Sequence, residues 1–158
     1  MNERIDLSGS LRDTLVKLGT YAAAHGDVPV SAILTYNDLI IGTGCNDVIQ
    51  ANHVGGHAEL NAISAAIKKY GMGEFNQLDR NYLRLITTYE PCAMCRAAIA
   101  EYRIHDIRVL KYKSLIQYWK EWLSMQRVII NSHPAGESSM QDSLFRLHPG
   151  FHEKNLEQ

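Results

Sequence analysis

Two short motifs, each opening an apolar run with helical spacing, constrain this chain more than any other feature. The first is His57-Ala58-Glu59, and the second is Pro91-Cys92-Ala93-Met94-Cys95. The runs that follow them predict helices over 58–70 and 92–102. Their polar side chains are therefore expected in first helical turns, where unpaired N–H groups and the positive end of the helix dipole favour thiolates.

The residue types in these motifs are those of a catalytic zinc site. A neutral imidazole and two thiolates can fill three of the four positions of tetrahedral zinc and leave the fourth open for water. Cys92 and Cys95 lie roughly 60° apart on a helix that turns ~100° per residue, so both thiolates can reach one ion. His57 and Glu59 point roughly 200° apart by the same geometry. Glu59 is therefore expected to transfer protons, not to bind the metal.

Each half of this pattern has an ordinary alternative. A lone Cys-x-x-Cys in an intracellular protein can be a redox pair or half of a structural zinc site. Glu59 taken alone can be a first-turn glutamate that complements the helix dipole. Neither alternative explains why the two motifs occur together.

With both motifs in place, the chain resembles the zinc-dependent nucleobase deaminases of the cytidine deaminase fold. The resemblance covers about 28–109, and its specific parts are the runs His-Ala-Glu-Leu-Asn-Ala-Ile and Glu-Pro-Cys-Ala-Met-Cys. These runs look most like the branch that contains bacterial tRNA adenosine deaminases, guanine deaminases and fungal cytosine deaminases. The resemblance implies a three-layer α/β/α fold with a mixed five-stranded sheet and helices on both of its faces.

The resemblance also assigns roles to individual residues. It implies Zn²⁺ as cofactor, held by His57, Cys92 and Cys95, with Glu59 as the catalytic proton shuttle. It further implies three substrate-binding residues, which are Asn46, Ala58 and Pro91. The ordinary alternative for Asn46 is a turn-forming Asn-Asp pair.

The local patterns predict an alternation of helices and strands. Helices are expected at 7–25, 58–70, 92–102 and 114–125, and strands at 28–36, 39–43, 82–89, 104–112 and 127–131. Asn37-Asp38 is a plausible tight hairpin turn between the first two strands. The polar connection over 71–81 is expected to be an exposed insertion. A helix between the last two strands implies a right-handed parallel crossover.

Bulk properties indicate one domain in a reducing environment. The chain has 158 residues, of which 46% are hydrophobic, so a single domain over 1–158 is expected. Its three cysteines include the two predicted ligands, which leaves Cys45 alone and makes a disulfide framework unexpected. No segment resembles a signal peptide or a membrane span. We therefore expect a cytoplasmic protein that does not bind membranes. A homodimer is expected in addition.

The substrate is less constrained. Sixteen basic residues against seventeen acidic ones create no global field for nucleic acid, but 96–127 holds seven Lys and Arg against three Asp and Glu. Such a local surplus is more often an ordinary solvated face. Arg96 and Leu110-Lys111-Tyr112-Lys113 also depart from the pattern of the tRNA enzymes.

Three functions are ranked on these grounds. Deamination of a free base or nucleoside of the guanine, adenine or cytosine type comes first. Wobble-adenosine deamination in tRNA comes second. A non-catalytic binding protein comes third, because the chain retains Glu59.

Two further features have open roles. His53 precedes the first motif, but a surface loop histidine is the commoner state and a deaminase needs an open metal position, so we do not expect it to be a ligand. An apolar group, consisting of Leu144, Phe145, Leu147 and Phe151, follows a polar stretch near the C-terminus. It could close over the pocket or cover the first helix.

Overall fold

The structure is a computed structural model that describes residues 7–130, 143–144 and 146–147. The chain divides into two compact units, Met1–Trp122 and Leu123–Gln158. The first unit holds the sheet and both motifs, and the second holds the end of the last helix and the two short pieces near the C-terminus. A single domain over 1–158 stays a prediction.

The hairpin predicted around Asn37-Asp38 is present. Strand β1, Ser31–Tyr36, pairs antiparallel with strand β2, Leu39–Cys45. Asn37 and Asp38 have φ angles of 51° and 61°. A two-residue turn of this hand needs positive φ at both positions, and Asn and Asp tolerate that region better than most residues.

Two further strands extend the sheet on the side of β1. Strand β3, Leu83–Thr87, is antiparallel to β1, and strand β4, Asp106–Val109, is parallel to β3. The strand order is β2-β1-β3-β4. Within the described ranges the sheet is therefore mixed, as predicted, but it has four strands where five were expected.

Five α-helices accompany these strands in the described part of the chain. They are α1 Gly9–Ala24, α2 Ala58–Tyr70, α3 Met72–Gln77, α4 Ala93–Glu101 and α5 Leu115–Ile130. A short 3₁₀ turn, Arg80–Tyr82, leads into β3. None of the helices in the described ranges is long and apolar enough to cross a bilayer.

The strand predicted at 127–131 is wrong over 127–130, because α5 continues through these residues. No glycine or proline interrupts the chain between Met125 and Ile130. Once a helix has formed, each added residue costs little, so three β-branched residues at its end do not stop it. The parallel crossover that depended on this strand is wrong with it. Asn131 lies outside the described residues.

The connection over 71–81 is also not simply an exposed insertion. It contains α3, and the Phe75 side chain is fully buried there. The ring of Tyr102 meets the Phe75 ring edge-on at 6.0 Å between centroids. One buried aromatic ring thus ties a stretch of polar composition to the core.

Successive side chains of β1 enter different apolar clusters. Ala32 and Leu34 belong to the cluster that contains buried residues of α2 and α4, whereas Ile33 packs with Leu15 of α1 and with Ile86 of β3. Alternate residues of a strand point to opposite faces of a sheet. Both faces of β1 are therefore covered by apolar side chains.

The packing of β2 against α2 depends on two glycines. A Cβ on Gly42 would lie 2.2 Å from the carbonyl oxygen of Ala62, and a Cβ on Gly44 would lie 2.3 Å from that of Ala58. No side chain fits at either distance. This close approach places the start of α2 beside the end of β2.

Candidate zinc and catalytic site

The first half of the site is the start of α2. His57 is the residue just before the helix, with φ −90° and ψ 145°. The Ala58 N–H donates to Oδ1 of Asn46 at 3.0 Å, and the Asn46 N–H donates to the carbonyl oxygen of Val30 at 3.0 Å. Asn46 therefore satisfies one of the unpaired N–H groups that open the helix. The substrate contact predicted for its amide stays a prediction.

The second half of the site is the start of α4, which follows β3. Cys92 is the residue before the helix, and Cys95 lies buried in its first turn. The backbone N–H of Arg96 donates to the Cys92 carbonyl oxygen at 2.8 Å. This first helical turn brings the two sulfur atoms to the same side.

The structure brings the three predicted ligands together. Sγ of Cys92 lies 3.5 Å from Sγ of Cys95, and each sulfur lies 3.5 Å from Nδ1 of His57. Zinc bonds of about 2.0–2.3 Å at tetrahedral angles place neighbouring donor atoms roughly 3.5–3.8 Å apart. These three residues therefore fit a zinc ion. Across the described residues they are the only group of three or more such side chains gathered in this way.

The two thiols have opposite pKa shifts. A hydrogen bond from Cys95 lowers the pKa of Cys92 to about 5, with the nearby His57 and backbone N–H groups helping and burial opposing. The same hydrogen bond, together with burial and the charge of Glu59, raises the pKa of Cys95. The shifts favour the thiolate at Cys92 and the thiol at Cys95, and a metal bound by both sulfur atoms requires both as thiolates.

Glu59 lies buried beside these donors. Its residue is 3% exposed, and the Thr87 hydroxyl lies 3.3 Å from Oε1 and can donate to it. The helical projection of His57 and Glu59 does not apply, because His57 precedes the helix and has an extended backbone. Glu59 nevertheless stays outside the group of candidate ligands.

Thr87 was not singled out from the sequence. It is the last residue of β3, and its hydroxyl also lies 3.0 Å from the carbonyl oxygen of Tyr89. The one available signal in the sequence was a polar residue near the end of the strand predicted over 82–89, shortly before the cysteine motif.

The predicted substrate-binding residues Ala58 and Pro91 frame the two helix starts. The Ala58 side chain is fully buried. The carbonyl oxygen of buried Pro91 accepts hydrogen bonds from Arg96 at 3.0 Å and from Lys113 at 3.3 Å. Their contacts with a substrate stay predictions.

A cluster of charged side chains surrounds the start of α4. Glu121 of α5 accepts a hydrogen bond from the Ala93 N–H and pairs with Lys113 at 2.8 Å and with Arg96 at 3.4 Å. Burial by itself raises the pKa of Glu121, but the hydrogen bonds from Lys113 and Ala93 outweigh it and lower that pKa. Arg96 also pairs with Glu90 at 3.7 Å. No periodicity in the sequence indicated this cluster.

Two other sequence features lie apart from the donors. His53 is exposed and does not belong to the metal-binding group. Near the C-terminus, Leu144 and Leu147 are exposed, and Phe145 and Phe151 lie outside the described residues. The two hypotheses for this segment stay untested.

The family follows from a match between this chain and a family model. The model of the cytidine and deoxycytidylate deaminase zinc-binding region matches residues 10–111, which is more than half of the chain. The chain therefore belongs to this family, and zinc is the metal for which its three gathered donors are suited.

Particular relatives narrow the comparison. A tRNA-specific adenosine deaminase from Buchnera aphidicola subsp. Schizaphis graminum is 39% identical over 92 residues, which are 56% of this chain and 56% of that protein. One from Agrobacterium fabrum is 34% identical over 86 residues, 54% of this chain and 53% of that protein. The chain spans about half the length of the curated relatives it matches.

Solved structures share the fold. One from work on A-to-I editing by tRNA deaminases at the wobble position of transfer RNA has a TM-score of 0.57 and 27% identity, covering 66% of this chain and 76% of that one. Guanine deaminase from Bacillus subtilis has a TM-score of 0.68 and 23% identity, covering 94% of this chain and 99% of that one. At the latter identity the likeness concerns the fold alone.

Proposed function

We propose that this protein is a zinc-dependent hydrolase that removes an exocyclic amino group from a nucleobase and releases ammonia. The observation that carries the proposal is the meeting of His57, Cys92 and Cys95 at 3.5 Å beside the buried Glu59. Three ligands leave one position of a tetrahedral ion open, which is typical of catalytic zinc.

The roles of the groups follow from their chemistry. A zinc ion held by the three donors would supply an activated water near neutral pH. Glu59 would accept a proton from the attacking water and return it to the departing amine, so that the base gains an oxygen and loses ammonia. The Thr87 hydroxyl lies 3.3 Å from Oε1 of Glu59 and 3.0 Å from the carbonyl oxygen of Tyr89, and it can donate its one proton to either. Burial of Glu59 keeps bulk water from competing for the proton.

For the substrate, adenosine within tRNA is the leading candidate. The support is the similarity of segments of 84–98 residues of this chain to several tRNA-specific adenosine deaminases from different organisms. This order reverses the ranking drawn from the sequence alone, in which a free base or nucleoside came first.

A free base or nucleoside remains the second candidate because of one observation. Arg96 and Lys113, two of the cations that could track an RNA backbone, are paired with Glu90 and Glu121. Paired cations attract phosphate less than free ones do. A non-catalytic binding protein fits less well, because a binding protein has no use for a buried carboxylate beside the metal donors.

A substrate panel distinguishes the two candidates. Zinc-loaded protein is incubated with tRNA transcripts that carry adenosine at the wobble position, and separately with adenine, guanine, cytosine and their nucleosides. Ammonia release and the deaminated product are measured by mass spectrometry. Turnover of tRNA alone supports the leading candidate, and turnover of a free base or nucleoside alone supports the second. A zinc-loaded protein that deaminates nothing contradicts the enzymatic proposal.

The role of Glu59 is tested by Glu59→Gln, which keeps the size of the side chain and removes its basicity. We expect the variant to keep zinc and to lose turnover by at least about 10²-fold, the usual contribution of a general acid–base group. Glu74→Gln is a matched control, because Glu74 is an exposed glutamate in the first turn of α3. Equal turnover of both variants would show that Glu59 is an ordinary first-turn glutamate.

A further inference from the structure

The peptide groups on both sides of Cys92 are bound by side chains from α4, from α5 and from the segment between β4 and α5. The Ala93 N–H, next to this ligand, donates to the carboxylate of Glu121, which lies in α5. Pro91, on the other side of Cys92, has its carbonyl oxygen bound by Arg96 and Lys113. Both peptide neighbours of the metal ligand are therefore bound to one charged cluster.

The charged residues of this cluster bind one another. Lys113 pairs with Glu121 at 2.8 Å, and its backbone N–H donates to Glu90 at 2.8 Å. Arg96 pairs with Glu121 at 3.4 Å and lies over the Tyr118 ring at 5.6 Å from the centroid. Since Arg96 and Lys113 both bind Glu121 as well as Pro91, moving the Glu121 carboxylate loosens contacts on both sides of Cys92.

We infer that Glu121 is a positioning residue for the zinc site, which it serves by fixing the first turn of α4 through the Ala93 N–H and the ion pairs with Arg96 and Lys113. The inference rests on the zinc site of the proposed function. It does not depend on which substrate the site accepts.

Physical chemistry gives the size of the effect. A helix start without an acceptor for its N–H groups frays, and Cys92 precedes the helix that Glu121 caps. Residues that orient metal ligands typically change metal affinity or activity by about 10–100-fold when they are removed. Glu121 is partly shielded, with 20% of its side chain exposed, so water replaces it poorly.

The experiment measures release of zinc from the full-length protein to a colorimetric chelator, at a temperature well below unfolding. Glu121→Ala is expected to release zinc about tenfold faster than the wild type or more. Glu121→Gln keeps an oxygen that can accept the Ala93 N–H but loses the ion pairs with Arg96 and Lys113, so it should release zinc at a rate between those of Glu121→Ala and the wild type. Glu101→Ala is the control, because Glu101 is an exposed glutamate at the other end of α4.

A merely structural role for Glu121 predicts another outcome, with a lower melting temperature and unchanged zinc release below it. That result overturns the inference, as does equal release from Glu121→Ala and Glu101→Ala. If Glu121→Ala does not fold, Lys113→Met and Lys111→Met replace it, because the Lys111 residue is exposed whereas the Lys113 side chain is 11% exposed. Faster release from Lys113→Met supports the inference, and equal release overturns it.

These outcomes separate the inference from the proposed function. A protein that binds zinc and deaminates no tested substrate still answers the question about Glu121. A wild-type protein that binds no zinc overturns both.

Discussion

The two helix starts that carry the three candidate metal ligands are built by different means. At α2, the acceptor for the Ala58 N–H is the neutral amide of Asn46, just past the end of β2. At α4, the acceptor for the Ala93 N–H is the carboxylate of Glu121, supplied by α5. The start of α2 is therefore held by a neutral amide that follows β2. The start of α4 is held by a cluster of charged side chains.

The starts of α2 and α4 also differ in how deeply their residues are buried. Ala58 is 0% exposed and Glu59 3% exposed, whereas Met94 in the first turn of α4 is 42% exposed. Tight packing leaves the α2 start little freedom to move, and a partly exposed start depends more on its ion pairs. The comparison indicates that Ala58 and Glu59 lie at a tightly packed helix start, whereas the start of α4 combines the buried Cys95 with the exposed Met94.

The largest effect is expected from Gly44→Ala, which tests whether core packing holds the α2 start. The new Cβ would lie 2.3 Å from the Ala58 carbonyl oxygen and 2.5 Å from the Ala62 nitrogen, both backbone atoms. Overpacking of this kind should destabilise the fold by about 3 kcal/mol and displace His57. Urea unfolding and zinc content measure the two consequences.

Gly73→Ala is the matched control for Gly44→Ala. A Cβ on Gly73 would meet nothing within 4 Å, and this residue lies in α3. We expect it to be neutral or to stabilise the protein by up to about 1 kcal/mol. If Gly44→Ala is equally harmless, the packing of β2 on α2 does not hold the α2 start.

A smaller effect is expected from Asn46→Ala, which removes the acceptor of the Ala58 N–H. Loss of such a cap should cost about 1 kcal/mol of unfolding free energy. Asn46→Asp keeps an acceptor oxygen but loses the amide donor, so it should retain most of the stability.

The same pair of variants separates capping from substrate binding by Asn46. If the amide also binds substrate, Asn46→Asp raises KM while stability holds. If Asn46→Asp has a normal KM and normal stability, Asn46 caps the helix and its amide does not bind substrate.

The smallest effect is expected far from either helix start, at Asp106. Its carboxylate pairs with Arg84, which also pairs with Asp38 at the hairpin turn. Burial alone raises the pKa of Asp106, but hydrogen bonds and charges from Arg84 and Arg108 outweigh it and lower that pKa. The stabilisation is therefore present above the pKa of the unfolded chain and is lost as pH falls through the folded pKa.

Asp106→Asn tests whether the stabilisation by Asp106 is lost as pH falls. The variant should lose up to about 1 kcal/mol at neutral pH, because the pairs are partly exposed. Its difference from wild type should shrink in acid, and its zinc release should match wild type. Urea unfolding at both pH values measures the first two outcomes. A difference that grows in acid would contradict the assignment of Asp106.

Short-range sequence patterns were enough to predict a large part of the fold and of the candidate site. The hairpin at Asn37-Asp38 depends on a local φ preference, and α2 occupies the predicted 58–70 range because apolar periodicity and Gly71 bound it. The gathering of His57, Cys92 and Cys95 was predicted because the motif joins metal chemistry to helix starts. Each of these features depends on residues close together in the chain or on a resemblance to known enzymes.

Tertiary structure decided what depends on distant partners. Whether 127–130 forms a strand depends on the presence of a neighbouring strand to pair with, and here α5 simply propagates. The burial of Phe75, the Thr87 hydroxyl on Glu59 and the Glu121 carboxylate on Ala93 all join residues that no local period relates. Composition shows that cations are abundant around Arg96, but only the folded chain shows which carboxylates neutralise them, because ion pairing depends on distance in space.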